Sequence, residues 1–377
     1  MDTIILTENQ KRCLAKLQEY DAMFCNFFDW FIGQYDKKTG GFFHARSSFE
    51  MPNLHPDIES STFAVDIMLR FGLLMSMPKW MKQAVIMFFR DLQDKETGFF
   101  YDKNPDMKKD EVMLARAQSF CVKSLSNLGA QPLYPLPAPA AAPDYMKTPE
   151  AMLEWMSQVE LTNAWRGCDK MSSVRMFINR MEKQKAQEYL NAAWAYLEKT
   201  QDKQTGFWGS GRPLIRLSGT FKIIAGFYGQ NHDKIPNKEI IYKSVLDAMR
   251  SDDAVDFCWV RNPIDIITSL GIKPTDDELL EIISITVENV RRLSRADGGF
   301  SREMEHSPSA TNVAQVKPGD GHRDIPKPVY ISKGLYESDM NAATQADSVR
   351  RMCYRLAGLP ATNLEQYANK LKWPEEN

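Results

Sequence analysis

The segment Asn53-Leu-His-Pro-Asp-Ile-Glu59 carries an imidazole, His55, and two carboxyls, Asp57 and Glu59, in close succession. An imidazole that titrates near neutrality beside a carboxylate is a plausible proton-transfer pair. Further along, Asp252-Asp253-Ala-Val-Asp256 clusters three carboxyls, of which Asp253 or Asp256 could act as a lone acid. Arg116, Arg166, Arg212, Arg216 and Arg261 could receive an anionic substrate group through their planar donors. Trp165, Trp208 and Trp259 offer faces that suit either a sugar ring or a carbocation. Asp339, beside Asn341 and Gln345, completes the candidate binding residues. Each has a plainer alternative, because Asp, Asn and Ser near a turn often only cap a helix.

These residues need elements to hold them, and a repeat supplies the elements. Asp36-Lys-Lys-Thr-Gly-Gly-Phe42, Asp94-Lys-Glu-Thr-Gly-Phe99, Asp202-Lys-Gln-Thr-Gly-Phe207 and the shorter Asp297-Gly-Gly-Phe300 form one recurring tag. The first two lie 58 residues apart and the next interval is 108, close to two such steps. Degenerate copies near Pro143–Tyr145 and Ser251–Asp253 bring the number of units to six. Asp starts the turn, Gly takes a positive φ, and the following aromatic packs back between helices. Helical patterns precede the tags at 7–34, 79–93, 182–201 and 277–294, and follow them at 58–74, 112–128, 217–228 and 340–356. The first set reads as outer, amphipathic helices and the second as buried inner ones, so the tagged turns join helical pairs that must stack to hide their apolar faces. The candidate residues cluster near the starts of the inner helices, where unpaired N–H groups favour anionic partners.

Gln-Asp-x-x-Thr-Gly-Gly-Phe between an outer and an inner helix resembles the recurring motif of terpenoid cyclases and protein prenyltransferase β-subunits. That resemblance implies an all-α (α/α)6 toroid of six hairpins around a central cavity, spanning 1–377 as one domain. A Pro-rich connector at about 131–146 and a long irregular loop or lid at about 301–337 interrupt it. The zinc of the prenyltransferases is held by Asp-x-Cys, which Asp256-Phe-Cys258 matches, and by a His ahead of a Cys-Tyr-x-Leu-x-Gly-Leu segment. Cys353-Tyr-Arg-Leu-Ala-Gly-Leu359 matches that segment, but Arg351 stands where the His would fall, and a guanidinium cannot ligate zinc. Asp252-Asp253-Ala-Val-Asp256 has the DDxxD form of class I terpene synthases, which have a different helical fold, and the Asp-x-Asp-Asp acid motif of class II cyclases is missing. The expected site is therefore metal-free and without a cofactor.

Function follows from these pieces in three forms. The first is a cyclase, lyase or transferase on an isoprenoid-type substrate, using acids at inner-helix starts. The second is a carbohydrate-active (α/α)6 enzyme, a glycoside hydrolase or polysaccharide lyase, using His55, Asp57 and Glu59. The third is a non-catalytic toroid that binds a ligand or a protein. The expected partner is a small-molecule or oligosaccharide substrate. With 47 basic and 49 acidic residues there is no global field to hold nucleic acid. No apolar run approaches the ~20 residues of a transmembrane helix. Six cysteines without a CxxC pair, and an N-terminus unlike a secretory signal, lead us to expect a cytoplasmic location.

Overall fold

The computed structural model describes residues 6–109, 111–138, 141–229, 231–311 and 329–376. Among them the protein is all-α, with isolated β-bridges in place of strands. The chain clusters into two compact units.

The first unit takes residues 6–138 and the described residues from 286 onward. It contains α1 (Glu8–Ala22), α2 (Phe27–Ile32), α3 (Ile58–Arg70), α4 (Lys79–Asp91) and α5 (Glu111–Asn127). The second unit, up to residue 285, contains α6 (Pro149–Ser157), α7 (Ala164–Ser172), α8 (Arg175–Ile178) and α9 (Lys183–Thr200). It continues with α10 (Pro213–Ile223), α11 (Lys238–Ser251) and α12 (Phe257–Leu270). The chain enters α13 (Asp276–Leu293) and, back in the first unit, ends with α14 (Met340–Leu356) and α15 (Glu365–Ala368).

Helices read as inner lie side by side in the first unit. There α3 packs against both α5 and α14; in the second unit, α10 packs against both α7 and α12. The first eight residues of α14 are all buried, whereas α13 keeps a charged outer face. The pattern expected at 7–34 is split into α1 and α2 by a turn, because Phe24, Phe27, Phe28 and Phe31 all need burial, more than one stripe of a straight helix can hide.

The tags explain themselves atom by atom. Asp94 accepts from the backbone N–H groups of Glu96 and Thr97 and from the Thr97 hydroxyl, while its own N–H donates to the Phe99 carbonyl. Asp36 and Asp202 repeat the arrangement. Gly40, Gly98 and Gly206 sit at φ of 81°, 73° and 69°, and a Cβ on Gly40 would meet the Ala84 carbonyl oxygen at 2.3 Å. In the fourth tag the Arg295 guanidinium braces the turn, donating to the carbonyls of Arg292, Ser294, Glu303 and Met304 and stacking on Tyr336.

The register of the tag aromatic differs from the sequence reading at the second tag, and at the third both Phe207 and its neighbour Trp208 are buried. Phe42, Phe100, Trp208 and Phe300 are the buried residues that pack behind the turns, while Phe99 is 40% exposed. The bridges Tyr35↔Phe42, Gln93↔Phe100 and Ser294↔Phe300 fix that alignment. Phe100→Ala should therefore cost about 3–5 kcal/mol in urea unfolding and Phe99→Ala under about 1 kcal/mol. Equal costs for the two would refute this register.

Candidate active site

Everything at the start of α3 follows from its unpaired N–H groups. Asp57 is the N-cap, and its Oδ1 accepts from the Ser60 N–H at 2.7 Å. The Ile58 N–H goes instead to Asp102 Oδ2 at 2.8 Å, and Asp102 Oδ1 also accepts from the Asn104 N–H. One helix terminus thus faces two carboxyls, and both are buried.

Two buried carboxyls so placed do not both ionise at neutral pH. Asp57 is pushed well above the usual carboxyl range, first by burial and then by the charge of Asp102, with the Ser60 N–H working the other way. Asp102 is pushed up to about 6 by burial, opposed by the N–H groups of Ile58 and Asn104. The two carboxyls thus take up a proton as a coupled pair more readily than isolated carboxyls would. The partial positive charge of the helix end, which normally favours the anion, is outweighed by desolvation.

Asp57 lines a cavity of about 20 Å³ together with His44, Glu59, Ser60, Arg302 and Thr311; Phe63, Met107, Pro308 and Ile331 form apolar walls. His44 is 5% exposed and its pKa falls to about 3, mainly through burial and secondarily through the positive charge of Arg302. It is a neutral imidazole at any ordinary pH. Ser60 Oγ lies 3.5 Å from His44 Nδ1. Asn341 reaches the same cavity from α14, whose N-cap Asp339 accepts from the N–H groups of Ala342 and Arg302. Burial lifts Asp339 to about 7 against those two bonds. Glu59 is paired with Arg116 at 2.7 Å.

The predicted site residues separate into groups. Asp57, Glu59 and Arg116 meet in the first unit, where Asp339 caps the helix whose Asn341 reaches the same cavity. His55 does not join them: its side chain is exposed, and its backbone bonds the Asn104 side chain, the N–H donating to Oδ1 and the carbonyl accepting from Nδ2. The others lie in the second unit. Asp256 is the buried N-cap of α12 and accepts from the Cys258 N–H at 2.7 Å, while Asp253 is exposed. Arg212 pairs with Asp252 and lies over the Trp259 ring. Arg216 braces the third tag through Asp202 and Thr205, and Trp208 is the buried aromatic of that tag, its indole N–H donating to the Leu197 carbonyl. Arg166 lies over Trp165, and Arg261 over Phe221. Arg351 pairs with Asp347 on its own helix, and no group of three or more potential ligands suited to a metal ion occurs among the described residues.

Sequence reasoning missed His44, Asp102 and Arg302, although a signal was present. Each is the second residue after a buried tag aromatic: Phe42, Phe100 and Phe300. The short extended stretch after each tag runs past an inner-helix start, so this repeat position delivers a side chain to it. The third tag puts Ser210 there, whose carbonyl accepts from the Ala164 N–H at the start of α7.

The shifts predict an opposed pH response. His44 is unprotonated when folded but protonates when unfolded below about 6.5, so its contribution to stability is lost as pH falls from there toward 3. Asp102 and Asp339 hold protons in the folded state that the unfolded chain has released, so their contribution is lost as pH rises through about 6 and about 7. His44→Gln should accordingly lose about 3 kcal/mol less than wild type between pH 7 and pH 4 in urea unfolding. Parallel losses in the two proteins would count against a buried neutral imidazole.

No protein-family model and no curated protein sequence matches the chain. Two solved structures resemble it, both alanine variants of the type II terpene cyclase MstE from Scytonema. One, in complex with the product merosterolic acid A, is 12% identical with a TM-score of 0.42, covering 94% of this chain and 99% of that one. The other, in complex with the substrate geranylgeranyl dihydroxybenzoate, is 12% identical with a TM-score of 0.40, covering 92% and 99%.

Proposed function

We propose that the protein is a proton-transfer enzyme of the cyclase or lyase type acting on an isoprenoid-type hydrophobic substrate, with Asp57 as the general acid. The observation that carries this reading is the placement of Asp57: a buried carboxyl that shares its helix end with Asp102, is pushed above the usual carboxyl range by burial and that neighbour, and lines a cavity with Phe63, Met107, Pro308 and Ile331 in its walls. A carboxylic acid poised this way can give its proton to an alkene or epoxide and stay dry while the cation reacts. His44, being neutral, adds no competing positive charge, and Phe63 presents a ring to that space.

The carbohydrate reading gains no comparable support. It needed His55, Asp57 and Glu59 to act together, but the His55 side chain is exposed and Glu59 is neutralised by Arg116. Asp253 and Asp256, offered as further acids, belong to the second unit, where Asp256 serves as a helix cap.

The test is isotopic. Linear polyprenyl alcohols and polyprenyl arenes incubated with the enzyme in D2O should yield isomers of the starting material that carry one carbon-bound deuterium, read by mass spectrometry. Products without the label would remove the general acid from the mechanism.

A further inference from the structure

Two polar atoms in the cavity beside Asp57 have no hydrogen-bond partner in the protein: His44 Nε2 and Thr311 Oγ1. Their residues are only 5% and 4% exposed. Buried polar atoms are nearly always satisfied, by protein or by ordered water. The cavity they share, about 20 Å³, is just above the size that admits one water molecule and far below that of any organic ligand. Either tautomer of His44 leaves Nε2 in need of a partner, as donor or acceptor, and water serves for both.

We infer that this cavity is a binding site for a single water molecule, held between His44 Nε2 and Thr311 Oγ1, which fastens a two-segment strap over the start of α3. The strap is made of residues 301–311 and 329–337. Its segments pair through the bonds from the Ser307 N–H to the Leu335 carbonyl, from Ile331 to Ser309 and from Thr311 to Val329. On its outer side it is pinned to the short helix Arg46–Glu50: Ser48 Oγ donates to the Ile331 carbonyl, Ser47 to Glu337, and Lys333 pairs with Glu50. On its inner side Arg302, Pro308, Thr311 and Ile331 face the cavity, and Thr311 is the strap residue whose hydroxyl lacks a protein partner there. The water supplies the missing polar tie between the strap and the helix-start cluster.

The site also constrains what can replace the water. A molecule that opens the strap and reaches Asp57 must bring an oxygen or nitrogen to the position between His44 and Thr311, or leave both unpaired. The water site thus marks a polar subsite beside the apolar walls of Phe63, Met107, Pro308 and Ile331. This inference concerns the resting protein, so it stands or falls independently of the isomerisation test.

A high-resolution crystal structure of the unliganded protein should show one water within about 3 Å of both atoms. In Thr311→Val, which keeps the shape but removes the hydroxyl, the strap amides of Ser307 and Thr311 should exchange hydrogen about tenfold faster. Amides in the middle of α3 should keep wild-type rates, and Thr311→Ser should restore slow exchange in the strap. An empty cavity in the wild-type density overturns the inference, as does equal strap exchange in Thr311→Val and wild type. Failure of Thr311→Ser to restore slow exchange also overturns it, since the valine effect would then be one of packing.

Discussion

Asp57→Asn should abolish deuterium incorporation and lower turnover by at least about 10³-fold while leaving the fold intact. Asparagine keeps the size of the neutral acid and is as good an N-cap as aspartate, so the bond from the Ser60 N–H survives. Its amide cannot surrender a proton. It also removes a buried ionisable group from beside Asp102, so stability should stay within about 1 kcal/mol of wild type or rise. Asp57→Ala is the contrasting variant: it loses both acid and cap and should cost about 1–2 kcal/mol in addition. Turnover within tenfold of wild type in Asp57→Asn, measured on whichever polyprenyl substrate labels, would reduce this residue to a helix cap.

Asp347→Ala should destabilise the protein by about 3–5 kcal/mol, the largest loss expected from a single side chain outside the apolar core. On α14, Asp347 is completely buried between three guanidinium groups: Arg70 Nε at 3.0 Å, Arg351 Nε at 3.0 Å and Arg350 Nη1 at 3.8 Å. Arg350, itself fully buried, also binds Asp21 at 2.6 Å, and the Tyr354 hydroxyl donates to the other oxygen of Asp21. The network ties α1 and α3 to α14. Removing its central anion leaves the buried Arg350 and the partly exposed Arg70 and Arg351 facing one another, which costs more than the pair contributes when intact. Calorimetric or urea unfolding measures the loss, and a change below about 1 kcal/mol would mean that water enters to compensate. Arg351 is thus committed to Asp347 at the position where the prenyltransferase pattern has a zinc-binding histidine.

What the sequence determined by itself was local and periodic. The tags encode their own turns, because Asp, Thr and Gly satisfy each other's geometry within six residues, and the helices on either side follow from amphipathic spacing. The N-caps Asp57, Asp256 and Asp339 were legible for the same reason: a cap bonds only two or three residues ahead. The buried aromatic of the second tag was placed one residue early, since Phe99 and Phe100 have the same chemistry and only packing separates them. Tertiary structure decided what surrounds each cap. The carboxyl of Asp57 is pushed above its usual range because its helix end is buried and is shared with Asp102, 45 residues further on. His55 looked the better imidazole, being two residues from Asp57, yet His44 comes to the cavity because a tag carries it there. Desolvation and charge coupling act over contacts between segments distant in sequence, and no single stretch of residues contains them.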